Sequence, residues 1–71
     1  MADQIRAEMV ANVLQILVSA GDQVESGDSM LILESMKMEI PVLAERAGTV
    51  LSLGVAVGDV VQEGDVLVEL D

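Results

Sequence analysis

The chain has no cysteine, no histidine, no Phe, Tyr or Trp, a single proline, and three basic residues against thirteen acidic ones. Each absence removes a class of function. Without cysteine there is neither a disulfide nor a thiolate metal site. Without aromatic rings there is no platform on which nucleic-acid bases stack. Without His, Cys or Tyr, the groups that most often move protons near neutral pH are missing. Carboxylates, hydroxyls and one lysine remain, so a self-sufficient enzyme is not expected. The formal net charge of −10 opposes nucleic acid and anionic membrane surfaces and favours partners with basic docking surfaces. No apolar run approaches the roughly 20 residues of a membrane span, and no basic segment leads into an apolar one as in a signal peptide. A cytoplasmic monomer is the expectation.

What is present is aliphatic. The 71 residues are rich in Val, Leu, Ile and Met. That length allows one small domain, residues 1–71, able to fold alone on aliphatic packing. The chain also repeats itself. "AGDQVESGDSMLILE" at 20–34 returns as "VGDVVQEGDVLVELD" at 57–71, an offset of 37. Gly21, Asp22, Val24, Gly27, Asp28 and Leu33 match Gly58, Asp59, Val61, Gly64, Asp65 and Leu70. Val13, Leu14 and Val18 match Val50, Leu51 and Val55, and Ala7-Glu8 matches Ala44-Glu45. Residues 4–34 and 41–71 therefore read as two copies of one unit. Solenoids need about three repeats, so two copies imply a single domain with pseudo-twofold symmetry.

Each copy reads as strands. Residues 12–18 and 49–55, and the shorter runs 29–34 and 66–70, are β-branched or aliphatic and bounded by Gly-Asp pairs that suit turns. The segments around 2–14 and 35–46 contain helix formers, but Pro41 would break the second as a helix; both are read as mainly extended, with Pro41 on an edge strand or at a bulge. The fold class expected is all-β: a flattened barrel or sandwich of two antiparallel sheets of about four strands each.

Between the copies lies "SMKMEI", residues 35–40, and within it Lys37, the only lysine. A lone lysine in a turn is usually a solvated charge. Here it stands between Met36 and Met38, which cannot all be buried at a narrow hairpin tip because alternate residues point to opposite faces. The pattern suggests a hairpin-tip amine offered for modification or docking, with two adaptable apolar neighbours; loose packing at the hairpin base is the plainer account of the methionines. Asp22, Asp28, Asp59 and Asp65 lack the spacing of an EF-hand, and turn formation accounts for them.

Glu34-Ser35-Met36-Lys37-Met38 resembles the attachment motif of biotinyl domains, the biotin carboxyl carrier family, and the Gly-Asp segments before and after it extend the resemblance over about residues 8–71. The resemblance implies a non-catalytic carrier of the biotin/lipoyl fold, with biotin covalently bound to Lys37 and with Met36, Met38 and Glu34 as flanking motif residues. It implies a biotin protein ligase that acylates Lys37, and biotin carboxylase and carboxyltransferase subunits between which the cofactor shuttles a carboxyl group. The stretch from Ala11 to Gly21 is too short for the thumb insertion of some relatives, and no Ala/Pro-rich linker is visible, so a small stand-alone, thumbless carrier is expected. A lipoyl carrier shares the fold, but its motif typically has Asp before the lysine, where Met36 stands here. A regulatory protein-binding module working through Met36 and Met38 is the reading from another class.

Overall fold

The protein, described here by a computed structural model over residues 3–71, is built of strands and turns. The eight strands are β1 (Asp3–Arg6), β2 (Ala11–Ile16), β3 (Gln23–Val24), β4 (Ser29–Ser35), β5 (Met38–Leu43), β6 (Gly48–Leu53), β7 (Val60–Val61) and β8 (Val66–Leu70). They form two four-stranded antiparallel sheets, ordered β1-β8-β6-β3 and β5-β4-β2-β7. Adding 37 carries β2 and β3 onto β6 and β7 residue for residue, and β1 and β4 onto overlapping stretches of β5 and β8, so the two sheets are exchanged by the repeat. Each sheet takes two strands from each copy. The halves are interlocked rather than stacked.

The backbone records the pseudo-dyad bond by bond. Ala7 N–H donates to the Asp65 carbonyl and Ala44 N–H to that of Asp28, both at 2.8 Å. Val13 N–H donates to Asp59 O and Val50 N–H to Asp22 O, again both at 2.8 Å. Every one of these bonds joins the first copy to the second, or the second to the first. The Gly-Asp turns are likewise one device used four times. At Glu25–Asp28 the Asp28 N–H donates to the Glu25 carbonyl at 3.0 Å, and the Asp28 carboxylate accepts the Glu25 N–H at 2.8 Å. Gly27, with φ of +93°, supplies the third position, where a side chain would be strained. Asp22, Asp59 and Asp65 accept the equivalent bonds from Ser19, Ala56 and Gln62.

The buried residues of the core are all apolar, and among the described residues no polar or charged one is buried with them. Strict alternation would put one residue in two inward. Instead Met30-Leu31 and Leu67-Val68 are consecutive pairs, all fully buried. The register shifts between Ser29 and Leu31, and between Val66 and Val68 opposite Ile5/Arg6, so each pair sits at a bulge that turns both side chains inward. Pro41 lies on β5, an edge strand, where a missing N–H is tolerated. The edge strands β1 and β5, dyad counterparts, flank an open cleft of about 930 Å³ whose wall includes both arginines, Arg6 and Arg46. Arg46 is bound there to the Asp3 carboxylate and the Asp71 carbonyl, and Arg6 to the Gly64 carbonyl.

Two sequence expectations shift. Strands expected over 12–18 and 49–55 end at Ile16 and Leu53. Leu17 and Gly54 each donate one further bond, to Met30 O and Leu67 O, before the chain enters a Gly-Asp turn. The connector expected over 35–40 contracts as well, because Ser35 and Met38 already pair as the last rung of β4 and β5.

Candidate functional site

Two residues, Met36 and Lys37, make the whole β4–β5 loop. A two-residue loop must follow the right-handed twist of its strands, and it does so with φ positive at both central positions. Met36 has φ of 54° and Lys37 φ of 65°. They are the two non-glycine residues with positive φ among the described residues. Such turns favour Asn-Gly or Asp-Gly. Placing two long side chains there carries a steric cost of roughly 1–2 kcal/mol each, offset by the β4–β5 pairing below the turn. Replacing Met36 with Asn, which tolerates the left-handed region, is therefore expected to stabilise the protein by roughly 1 kcal/mol. Thermal unfolding of Met36→Asn checks this, and an unchanged or lowered midpoint would contradict the strain.

The strained turn has a geometric product. Met36 is 92% exposed and Met38 65% exposed, and Lys37 is exposed between them. Lys37 makes no hydrogen bond or salt bridge with any described residue; the described ion pair lies in the cleft, between Arg46 and Asp3. One rung below the loop-closing pair, Glu34 and Glu39 face each other across β4 and β5. Like charges directly opposite on a sheet are destabilising, so the tip holds a local concentration of negative charge beneath one ammonium group. The four residues singled out in the sequence, Glu34, Met36, Lys37 and Met38, are thus brought together at one end of the molecule. The pairing of β1 with β8, which joins the two ends of the chain, is the dyad counterpart of this hairpin. The β2–β3 connection, residues 17–22, is a turn with no inserted element.

Two further residues adjoin the tip and carry no motif signal. Val10 and Val60 line a shallow depression of about 440 Å³ together with Asn12, Glu34 and Met36. Asn12 pairs with Glu34 on one side and Val60 on the other, which extends the hairpin surface across the sheet. A signal for them does exist in the repeat: the positions 37 residues away are Ala47 and Gln23, so the two copies differ in chemistry at these sites.

Fold and tip together define a small β-sandwich that presents a lysine on a two-residue hairpin. Residues 3–70 match the biotin/lipoyl family described as "Biotin-requiring enzyme", and the chain belongs to that family. It is 64% identical over 44 residues to the "Biotinylated protein TB7.3 homolog" of Mycobacterium leprae (strain TN), a stretch that covers 62% of each chain. Among solved structures it superimposes on Kluyveromyces lactis urea carboxylase with a TM-score of 0.93 at 31% identity, covering 100% of this chain and 6% of that one. It also superimposes on the lipoyl domain of the 2-oxoglutarate dehydrogenase complex from Azotobacter vinelandii, with a TM-score of 0.83 at 24% identity, covering 96% and 94% of the two chains. The last likeness is one of fold.

Proposed function

We propose that the protein is a biotin carrier, with the Lys37 amine as the point of attachment. One observation carries the reading: the only lysine of the chain stands exposed, with no partner among the described residues, on a strained two-residue tip. The residues present fit the cofactor. Biotin ends in a carboxylic acid, and an amide to a lysine amine needs an amine that an enzyme can reach. The biotinylated relative supports biotin over lipoate, as does Met36 in place of the acidic residue typical of lipoyl motifs.

When bound, biotin supplies a ureido nitrogen that takes up a carboxyl group at one enzyme and gives it up at another. The chain's own part is to hold and present. The β4–β5 pairing fixes the direction of the tip, and the exposed amine gives the arm free rotation. Tethering raises the local concentration of the cofactor at each enzyme the domain meets. The chain offers no His, Cys or Tyr to take the ammonium proton of Lys37. A biotin protein ligase therefore has to remove it, and a biotin carboxylase and a carboxyltransferase perform the later chemistry. In this reading the protein is a non-catalytic component of a biotin-dependent carboxylase system.

Mass spectrometry of protein from cells with an active ligase tests the proposal. Trypsin cuts after Arg6, Lys37 and Arg46, and acylation blocks the middle cut, so the adduct travels on the peptide 7–46. A biotinyl adduct at Lys37 is expected. A lipoyl adduct would make this a lipoyl carrier. An unmodified Lys37 would leave a protein-binding module as the reading.

A further inference from the structure

The side chains the protein lacks decide where an oxidant can act on it. With no Cys, His, Tyr or Trp, its five methionines are the readily oxidised side chains of the chain. The fold sorts the four that lie among the described residues. Met30 is 0% exposed, Met9 42%, Met38 65% and Met36 92%. The two thioethers most open to a dissolved oxidant are thus the two that flank the only lysine. Met30 is shut inside the core, on the opposite side of the same scale. The tip also selects among oxidants. Glu34 and Glu39 face each other just below it, on a chain of net charge −10. That field repels anionic oxidants and leaves a neutral one, hydrogen peroxide, free to approach.

We propose that Met36 and Met38 are sites of reversible oxidation by peroxide, and that the sulfoxides formed there slow the acylation of Lys37. The inference rests on Lys37 being the acceptor. In the forward step a lone pair of the thioether sulfur attacks one oxygen of hydrogen peroxide and the O–O bond breaks. The departing hydroxide takes the proton left on the transferred oxygen, so the products are methionine sulfoxide and water. Sulfur loses two electrons and the peroxide gains them. In the return step a methionine sulfoxide reductase releases the oxygen as water while two thiols become a disulfide. This chain has no cysteine, so those thiols belong to the reductase and its thiol donor. The effect on acylation follows from reach and hydration. An extended lysine side chain places its amine about 6 Å from its own backbone, so an enzyme working on that amine closes over the residues on either side. A thioether gives up little hydration when covered. A sulfoxide is polar, and covering it without a hydrogen-bond partner costs free energy. Neither Met36 nor Met38 belongs to the core, so the same change leaves the fold as it was.

The test starts from purified protein without biotin, treated with hydrogen peroxide for increasing times and then freed of it by gel filtration. Tryptic mass mapping follows each sulfur, since residues 7–37 carry Met9, Met30 and Met36 and residues 38–46 carry Met38. One added oxygen is expected first on Met36 and Met38, later on Met9, and on Met30 only after unfolding. Protein oxidised at Met36 and Met38 is expected to unfold at the unoxidised temperature. Biotin protein ligase with biotin and ATP is expected to acylate it about tenfold more slowly at low acceptor concentration. Methionine sulfoxide reductases for both sulfoxide epimers, with dithiothreitol, are expected to restore the rate. A variant carrying both Met36→Leu and Met38→Leu, whatever its own rate, is expected to keep that rate after peroxide. Oxidation of Met9 or Met30 ahead of the tip overturns the proposal, as does acylation of the oxidised protein at the unoxidised rate. So does an equal loss of rate in the double variant, or a fall in unfolding temperature, since the slowing would then come from elsewhere in the molecule. Failure of the acceptor assignment is seen separately, as biotin on Lys37→Arg, and leaves the order of oxidation as it is.

Discussion

Lys37→Arg, produced alongside an active biotin protein ligase, is expected to give a blank streptavidin blot and an unaltered unfolding curve. The substitution keeps the positive charge and most of the side-chain length, but a guanidinium stays protonated and does not act as an acyl acceptor. Lys37 is exposed and without a described partner, so the change falls among surface substitutions, which alter stability by about 0.5 kcal/mol or less. Signal and stability are therefore expected to separate completely: the first falls to background and the second does not move. Arg6 and Arg46 cannot substitute as acceptors for the same chemical reason. Biotin retained on Lys37→Arg would place the attachment on the α-amino group or elsewhere, and the carrier reading built on the hairpin would fail. Loss of signal together with unfolding would show instead that Lys37 is part of the structure, against its exposure.

The separation expected there reflects how the molecule divides its labour. The dyad provides two equivalent ends. One joins the chain ends through β1 and β8, and the other closes in Met36-Lys37. A duplicated sandwich so made has a single place where the chain crosses from one copy to the next, and that place is where the chemistry is proposed. Nothing in the core depends on the identity of the crossing residues beyond their ability to turn. The positive φ at both positions shows that even this ability is not optimised. Strain of that kind persists where the side chains are wanted for another purpose.

Much of this was legible in the sequence because the signals were duplicated. A single Gly-Asp pair is a weak turn signal, but four at matched offsets fixed both the turns and the pseudo-dyad. The long strands β2, β4, β6 and β8 showed as aliphatic runs. The strands β3 and β7, two residues each, did not, because Gln23-Val24 and Val60-Val61 are too short to display a period and exist through pairing with β6 and β2. The inward pairs Met30-Leu31 and Leu67-Val68 were illegible for a related reason. A bulge is a property of two strands in register, and neither strand alone reveals it. The type of the tip turn was hidden because Met-Lys is not a residue pair that such turns select. The depression beside the tip had a signal in the mismatches between copies, Val10 against Ala47 and Val60 against Gln23.

Leu67→Ala is expected to be the most damaging of the substitutions considered. Leu67 is 1% exposed, and its dyad counterpart Met30 is 0% exposed. Truncating either leaves a cavity in a core that has no aromatic ring to relax into it. Leu or Met to Ala at such sites costs about 2–5 kcal/mol. At about 0.05–0.15 kcal/mol per residue, a chain of this size has only about 4–10 kcal/mol of stability in all. Leu67→Ala should therefore lower the unfolding midpoint by upwards of about 10 °C and leave a measurable unfolded fraction at 37 °C. Met30→Ala should cost a similar amount, because the dyad puts the two side chains in equivalent surroundings. The informative comparison is with Met36→Ala, the same chemical change at a residue 92% exposed. That variant should stay within about 0.5 kcal/mol of wild type. Denaturant titration of the three variants gives the values directly. If Met36→Ala fell with Met30→Ala, the tip methionine would be a packing residue, and its prominence beside Lys37 would need a structural explanation instead of a functional one. If Met30→Ala and Leu67→Ala differed severalfold, the repeat would be a likeness of backbone that does not reach into the core.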